Sequence, residues 1–232
     1  MLISRRGFLG YAAGVSAIGL AGKSQLSHLS WETPKALSGC ALVDVGLSCT
    51  LRESSAGYES ALESAHVPCK RTSLESLLSS RIVILPAFVC ADESELARVR
   101  AHLENGSMIL LESGAAFLNS KEFDFNRRLI HSAFGLNLRD PIRLWESEAS
   151  FGQSPYVDYW WPAVMKVRDF SRIIPVECRS DEIIAWFQTM PVAARRRVGK
   201  GTLVFLGSPL GPHLLAGDRE ASHWLAAFCS PC

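Results

Sequence analysis

The feature that most constrains this chain is the succession of apolar runs and an amphipathic segment between residues 81 and 117. Arg81–Leu85 (RIVIL) is a continuous apolar run stopped by Pro86. Asp92–Glu104 (DESELARVRAHLE) follows, with Leu96, Val99 and Leu103 at helical spacing. Asp92 is placed to cap this helix, and Glu93 and Glu95 suit the positive end of its dipole. The helix ends on Asn105-Gly106, and Ser107–Phe117 (SMILLESGAAF) then reads as an apolar strand that stops at Glu112-Ser113-Gly114. Strand, helix and strand in this order imply a parallel sheet with right-handed crossovers. A buried strand that feeds a Gly-containing corner is where open α/β sheets present reactive or ligand-binding groups.

The same alternation extends in both directions. Upstream, Cys40–Val45 reads as a buried strand, Gly46–Gly57 as a Ser/Gly-rich loop, and Tyr58–Ala65 as a short helix. Val67–Thr72 reads as a further strand and Leu74–Leu78 as a brief helical segment. Downstream, Phe123–Phe134 is an amphipathic helix closed by Gly135. The character changes after Pro141. Ile142–Trp145 reads as a strand, and Glu146–Pro162 as a long irregular stretch holding Tyr156, Tyr159, Trp160 and Trp161. Val164–Val167, Ile173–Val176, Glu182–Gln188 and Val192–Val198 are strand candidates. Gly199-Lys200-Gly201 makes a tight turn into Thr202–Leu206, a hairpin signal, and Asp218 is placed to cap a last helix, Arg219–Phe228.

Composition excludes some functions. Hydrophobic residues at 48% and charged residues at 20% suit a folded core rather than a disordered chain. A net charge of +1 with balanced signs argues against a nucleic-acid binder, which would carry a basic face. Arg195-Arg196-Arg197 lies inside a strand-like segment and reads as a solvated strand face.

Ser4-Arg5-Arg6-Gly7-Phe8-Leu9 resembles the twin-arginine export motif. The run Tyr11–Ala21 behind it is too short and too weakly apolar for a membrane span of about 20 residues. The expected organisation is a twin-arginine signal peptide over 1–23, a polar linker over 24–38 and an α/β domain over 39–232. The export machinery is then a partner, the location periplasmic or extracellular, and no stable span remains once the signal is removed. Leu37-Ser38-Gly39-Cys40 spells a lipobox but stands some way from the apolar run, and is read as coincidence. The odd number of cysteines, 7, leaves at least one unpaired within a single chain. Cys229-Ser230-Pro231-Cys232 follows a helix rather than opening one, so a frayed or disulfide-closed end is expected rather than a redox or metal motif. No second C-x-x-C or His pair completes a zinc site, and no metal or cofactor is expected.

Two segments are similar to one superfamily. Met190-Pro191-Val192-Ala193, Val198 to Phe205 and Leu210-Gly211-Pro212-His213 resemble the closing hairpin of trehalose-utilisation-type proteins, within the class I glutamine amidotransferase-like superfamily. Ile82–Pro86, the helix after it, Asn105-Gly106 and the strand at 107 resemble that superfamily's core, including its noncatalytic versions in β-galactosidases. The resemblance implies a flavodoxin-like three-layer sandwich with a mostly parallel central sheet and a C-terminal β-hairpin extension. The catalytic pattern departs from it. Where the superfamily has G-x-C-x-G, Glu112 stands at the cysteine, and F-H-P-E reads Phe205-Leu206-Gly207-Ser208, without the histidine. Cys90 lies on the wrong loop. With no thiolate–histidine pair, glutamine hydrolysis is not expected.

Three functional expectations follow. The first is binding of a small polar or carbohydrate-type ligand in the crevice, with Gly114, Tyr159, Trp160, Trp161 and Asp218 as candidate ligand-binding residues. The second is hydrolysis, with Ser113 as nucleophile, His213 as base and Asp218 or Glu220 orienting it, or with Glu112 as general base. The alternative for Glu112 is an ion pair with an arginine such as Arg168, and for the aromatic residues a lid packed on the sheet. The third is an assembly module whose exposed aromatics dock another exported protein. All but the last require Glu112-Ser113 and Leu210–His213 to reach one crevice.

Overall fold

Five strands form a parallel block: β1 (Cys40–Asp44), β2 (Cys69–Ser73), β3 (Ile82–Leu85), β4 (Met108–Glu112) and, last in the chain, β13 (Gly201–Leu206). They lie side by side in the order β2-β1-β3-β4-β13 in a computed structural model that describes residues 39–44, 52–78, 80–89, 92–113, 119–144, 156–169 and 172–230. Residues 1–38, where the signal peptide and linker are expected, and Cys49, Cys90, Gly114 and Cys232 lie outside the described residues. Side chains of β1, β3, β4 and β13 alternate between two buried faces, which is why these strands are largely apolar, whereas the edge strand β2 (CKRTS) is polar and partly exposed. Leu42, Ile84, Leu110 and Val204 meet one core, whereas Val43, Val83, Ile109, Leu111 and Phe205 meet the other.

Helices cover both faces. α2 (Glu93–Glu104) and α3 (Ser120–Phe134) supply Leu96, Val99, Leu103, Phe123 and Ile130 to the second core. Asp92 caps α2 by accepting from the Glu95 amide at 3.0 Å, as its position in the sequence predicts. Asn119 caps α3, and Gly135 closes it in the left-handed region at φ 68°.

The first core is covered by α1 (Arg52–Ser64), α4 (Gly211–Leu215) and α5 (Arg219–Cys229). Here the structure corrects the sequence reading, because α1 begins well inside the stretch expected to be a loop. Its serines and Gly57 are weak helix formers, yet α1 crosses α4 so closely that only a residue without Cβ fits. A Cβ on Gly57 would stand 1.9 Å from the Gly211 carbonyl oxygen. Packing against a neighbouring helix overrides local propensity there. Leu74–Leu78, expected to be helical, is a bend and turn followed by residues without regular structure.

Beyond β13 the sheet turns antiparallel. The Gly199-Lys200 turn returns the chain from β12 (Met190–Val198), and β11 (Ile183–Phe187), β7 (Tyr156–Tyr159) and β8 (Met165–Arg168) complete the order β13-β12-β11-β7-β8. The antiparallel part is therefore larger than a hairpin, because Tyr156–Tyr159, read from sequence as irregular, is a strand. Four short strands, β5 (Asn137–Leu138), β6 (Ile142–Arg143), β9 (Arg172–Ile173) and β10 (Val176–Glu177), pair as β5–β10 and β6–β9. The arginine run falls within β12. Arg195 and Arg197 are exposed as expected, whereas Arg196 makes a two-pronged bond to Glu182 at 2.9 and 2.6 Å. Among the described residues, no helix is long and apolar enough to cross a membrane.

Candidate functional site

β4 ends in Glu112, whose position continues the face of Leu110 toward α1 and α4. The residue is fully buried. An isolated carboxylate could not persist there, and this one is held by four donors. Oε1 accepts from the Ser54 hydroxyl at 2.6 Å. Oε2 accepts from the Tyr58 hydroxyl at 2.6 Å and from the amides of Leu210 and Gly211, each at 3.0 Å. Ser54 and Tyr58 are one helical turn apart on α1, so both reach the same carboxylate. The amides of Leu210 and Gly211 open α4, and Leu210 has no side chain to cap it. Glu112, brought in from a distant strand, satisfies donors that a helix start otherwise leaves to water. Burial, then the negative charge and hydrogen bond of Glu112, hold the Tyr58 hydroxyl well above the usual tyrosine range.

A second buried polar group lies beside the first. The Ser208 hydroxyl, just past β13, donates to Asp169 Oδ2 at 2.6 Å, and both residues are buried. Tyr159 is fully buried and hydrogen-bonds Ser208. Its hydroxyl is pushed far up by burial and by the charges of Asp169 and Glu112. Gly207 makes this closure possible. The Ile174 amide donates to the Gly207 carbonyl at 2.7 Å, and a Cβ on Gly207 would lie 2.0 Å from the Ile174 carbonyl oxygen.

The expected residues meet in part. The corner at Glu112 and the segment Leu210-Gly211 do come together, through the carboxylate itself. Glu112 meets hydroxyls and amides rather than an arginine. Arg168 instead lies over the Tyr156 ring, 5.5 Å from its centroid. Ser113 is fully buried, and among the described residues its Oγ has no hydrogen-bond partner. Its amide donates to the Leu206 carbonyl at 2.9 Å, so the strand alternation runs on. That alternation puts Ser113 on the face of Leu111, whereas His213 belongs to α4 on the face of Leu110. His213 is half-buried within α4. Asp218 caps α5, accepting from the Glu220 and Ala221 amides at 2.8 and 3.1 Å.

The aromatic candidates separate. Tyr159 belongs to the core, edge-on to Trp224 at 5.5 Å, while Trp160 is 65% exposed. Trp161 stands edge-on to Phe228 with the Arg195 guanidinium 4.7 Å from its ring centroid, and its carbonyl accepts from the Trp224 indole at 2.9 Å. It lines a cleft of about 400 Å³ with Met108, Arg195 and Thr202 near the amino ends of β4 and β13, away from Glu112. A different cleft, of about 450 Å³, opens at the start of α3 between Asn119, Ser120, Arg127, Asp140, Arg143 and Arg172. Arg127 there bridges Asp124 and Asp140, each at 2.8 Å. Sequence reasoning missed Ser54, Tyr58, Asp169 and Ser208. The spacing of Ser54 and Tyr58 around Gly57 is the one local signal for the first pair. Among the described residues, no group of three or more His, Cys, Asp or Glu side chains is arranged to hold a metal ion.

No protein-family model matches the chain, and no curated protein matches its sequence. Solved structures do share its fold. An exo-β-1,4-mannosidase from Opitutaceae bacterium strain TAV5 superposes with a TM-score of 0.61 at 15% identity, over 85% of this chain and 37% of its own. A β-galactosidase from Bacillus circulans sp. alkalophilus gives 0.58 at 14% identity, over 80% and 31%. A cytoplasmic protein from Salmonella typhimurium LT2 gives 0.55 at 9% identity, over 76% and 87%. At these identities the likeness is one of fold. The chain spans about a third of the two glycosidases, 37% and 31% of their lengths.

Proposed function

We propose that this chain is an exported, noncatalytic member of the class I glutamine amidotransferase-like superfamily that binds a small polar or carbohydrate-type ligand. The saturation of Glu112 carries this reading. A carboxylate held by four protein donors, with no solvent exposure, is closed off from a substrate and from bulk water. The cross-strand register supports it. Leu206 lies directly beside Glu112, so the two positions that the resemblance aligns with a cysteine and a histidine are adjacent and carry a sealed carboxylate and an aliphatic side chain. The order β2-β1-β3-β4-β13, with cores on both faces, supports reading the domain as a flavodoxin-like three-layer sandwich.

The ligand is assigned to the cleft at the start of α3, the helix that follows the carboxyl end of β4. Its volume of about 450 Å³ suits a mono- or disaccharide-sized molecule, and its arginines and aspartates supply donors and acceptors for hydroxyl groups. Two structural neighbours are named as glycosidases, which agrees with a carbohydrate class. Thermal-shift measurements against neutral sugars, uronic acids and sugar phosphates test the reading. At about a hundredfold excess over Kd the melting temperature is expected to rise by about 5–10 °C. The rise is expected to vanish in Arg143→Ala/Arg172→Ala. Ammonia release from glutamine, or no stabilising compound in the panel, would overturn it.

A further inference from the structure

At the opposite end of the sheet from Glu112, three cysteines from three elements converge. Cys40 opens β1 and Cys69 opens β2, and the two stand directly opposite each other in the parallel register. Their sulfurs are 3.4 Å apart. Cys229, the last residue of α5, also hydrogen-bonds Cys40. All three are free thiols. Neighbouring strands run about 4.7–4.9 Å apart, and disulfides join Cα atoms about 4.4–6.8 Å apart, so directly opposed residues fall within reach of a bond. Access differs between the two strand cysteines. Cys40 is 6% exposed, whereas Cys69 is half-buried and lines a cleft of about 100 Å³ with Glu59, Leu62, Glu63, Val67 and Arg71.

We propose that Cys69 and Cys40 form a thiol–disulfide exchange site whose co-substrate is a disulfide-bearing oxidant, with Cys69 attacking first and Cys40 resolving. In the first step the Cys69 thiolate, its proton released to water, attacks one sulfur of the oxidant. A mixed disulfide forms and one oxidant thiolate leaves. In the second step Cys40 gives up its proton and attacks Cys69 Sγ, expelling the remaining oxidant thiolate. The two expelled thiolates take up protons. Two protein thiols are oxidised to the Cys40–Cys69 disulfide, and the oxidant disulfide is reduced to two thiols. The chemistry of the two sulfurs agrees with this order. The neighbouring Cys40 thiol holds Cys69 below the ordinary thiol range, whereas Cys40 is pushed up by Cys229, by Cys69 and by burial. The cleft at Cys69 carries Glu59 and Glu63 against Arg71, and Arg71 is already paired with Asp44 at 3.1 Å and Glu59 at 3.3 Å. That balance favours a cationic disulfide over an anionic one. Once formed, the bond staples the edge strand β2 to β1.

The full-length reduced protein is treated with cystamine or with oxidised glutathione, then alkylated and mapped by mass spectrometry without reduction. The expected product is a Cys40–Cys69 linked peptide that forms several-fold faster with cystamine and carries a melting temperature about 5–10 °C higher, reversed by dithiothreitol. Cys229→Ser retains the linkage, and Cys40→Ser halts at a mixed disulfide on Cys69. Alkylation of both Cys40 and Cys69 after oxidation overturns the proposal, as does linkage of Cys40 to Cys229 instead. Equal rates with the two oxidants overturn the assignment of a cationic co-substrate.

Discussion

Replacing Glu112 by alanine takes one acceptor group away from four donors at once. The Ser54 and Tyr58 hydroxyls can rotate toward other acceptors, but the amides of Leu210 and Gly211 are fixed by the backbone at the start of α4. Two stranded buried amides at about 1–3 kcal/mol each give a loss of about 2–6 kcal/mol. That is a large part of the roughly 5–15 kcal/mol that holds a typical domain together. Glu112→Gln keeps the shape and one carbonyl oxygen for those amides, so its expected loss is about 1–2 kcal/mol. Urea unfolding at pH 7, followed by tryptophan fluorescence and far-UV circular dichroism, reads both losses as shifts of midpoint at constant slope. An alanine variant within 1 kcal/mol of the parent would refute the reasoning. A more stable variant would refute it more sharply, because groups held for chemistry are often kept at the expense of stability.

Gly57→Ala pushes a Cβ to 1.9 Å from the Gly211 carbonyl oxygen, so α1 and α4 must separate. A loss of about 1–3 kcal/mol is expected, with the Glu112 bonds weakened alongside, and an unchanged midpoint would contradict the close crossing. Tyr58 has a folded-state pKa above that of an unfolded tyrosine, about 10. The stability it contributes is therefore complete below that pH and is lost as pH rises past it, because the unfolded chain gives up its proton first. Tyr58→Phe should show a shallower fall in stability between about pH 10 and 11 than the parent. Equal slopes would count against a buried, carboxylate-bound hydroxyl. Arg196 holds the Glu182 carboxyl below the usual range, so that pair contributes above about pH 4.3 and fades as pH falls further. Arg196→Met is expected to lose about 2 kcal/mol at pH 7 and progressively less toward pH 3, as chemical unfolding across pH would show.

What the sequence revealed divides along the range of the interactions concerned. Elements defined by local chemistry were legible. β3 and β4 announce themselves as unbroken apolar runs. Asp92, Gly135 and Asp218 mark helix ends by capping rules that act within a few residues. The Gly199-Lys200 turn is equally local. α1 was misread at its start because its helicity is imposed from outside, by a crossing with α4 that needs Gly57 and Ser54. β7 was missed because a four-residue strand with alternating burial gains its identity from pairing with β11 and β8, not from its own composition. The candidate site follows the same rule. Glu112 stood out from the sequence, but its partners lie 54 to 99 residues away along the chain. Its role as a clamp was therefore invisible until the helices were in place. Asp169 and Ser208 meet across 39 residues with no shared motif. Tyr159 and Trp161 were recognised as aromatics suited to a sugar face, yet Tyr159 is core and Trp161 is engaged by Phe228 and Arg195. Aromatic residues bury large surfaces, and packing claims them first.

Amide hydrogen exchange at Leu210 and Gly211 bears most directly on whether the β4 corner is closed structure rather than working site. First-turn amides of a short helix ordinarily exchange within reach of water. Bonded to Glu112 inside the core, these two should exchange only when the whole domain unfolds, at the rate of the slowest β4 and β13 amides. Fast exchange at either position, with β4 still protected, would show an open crevice around the carboxylate and contradict the noncatalytic account.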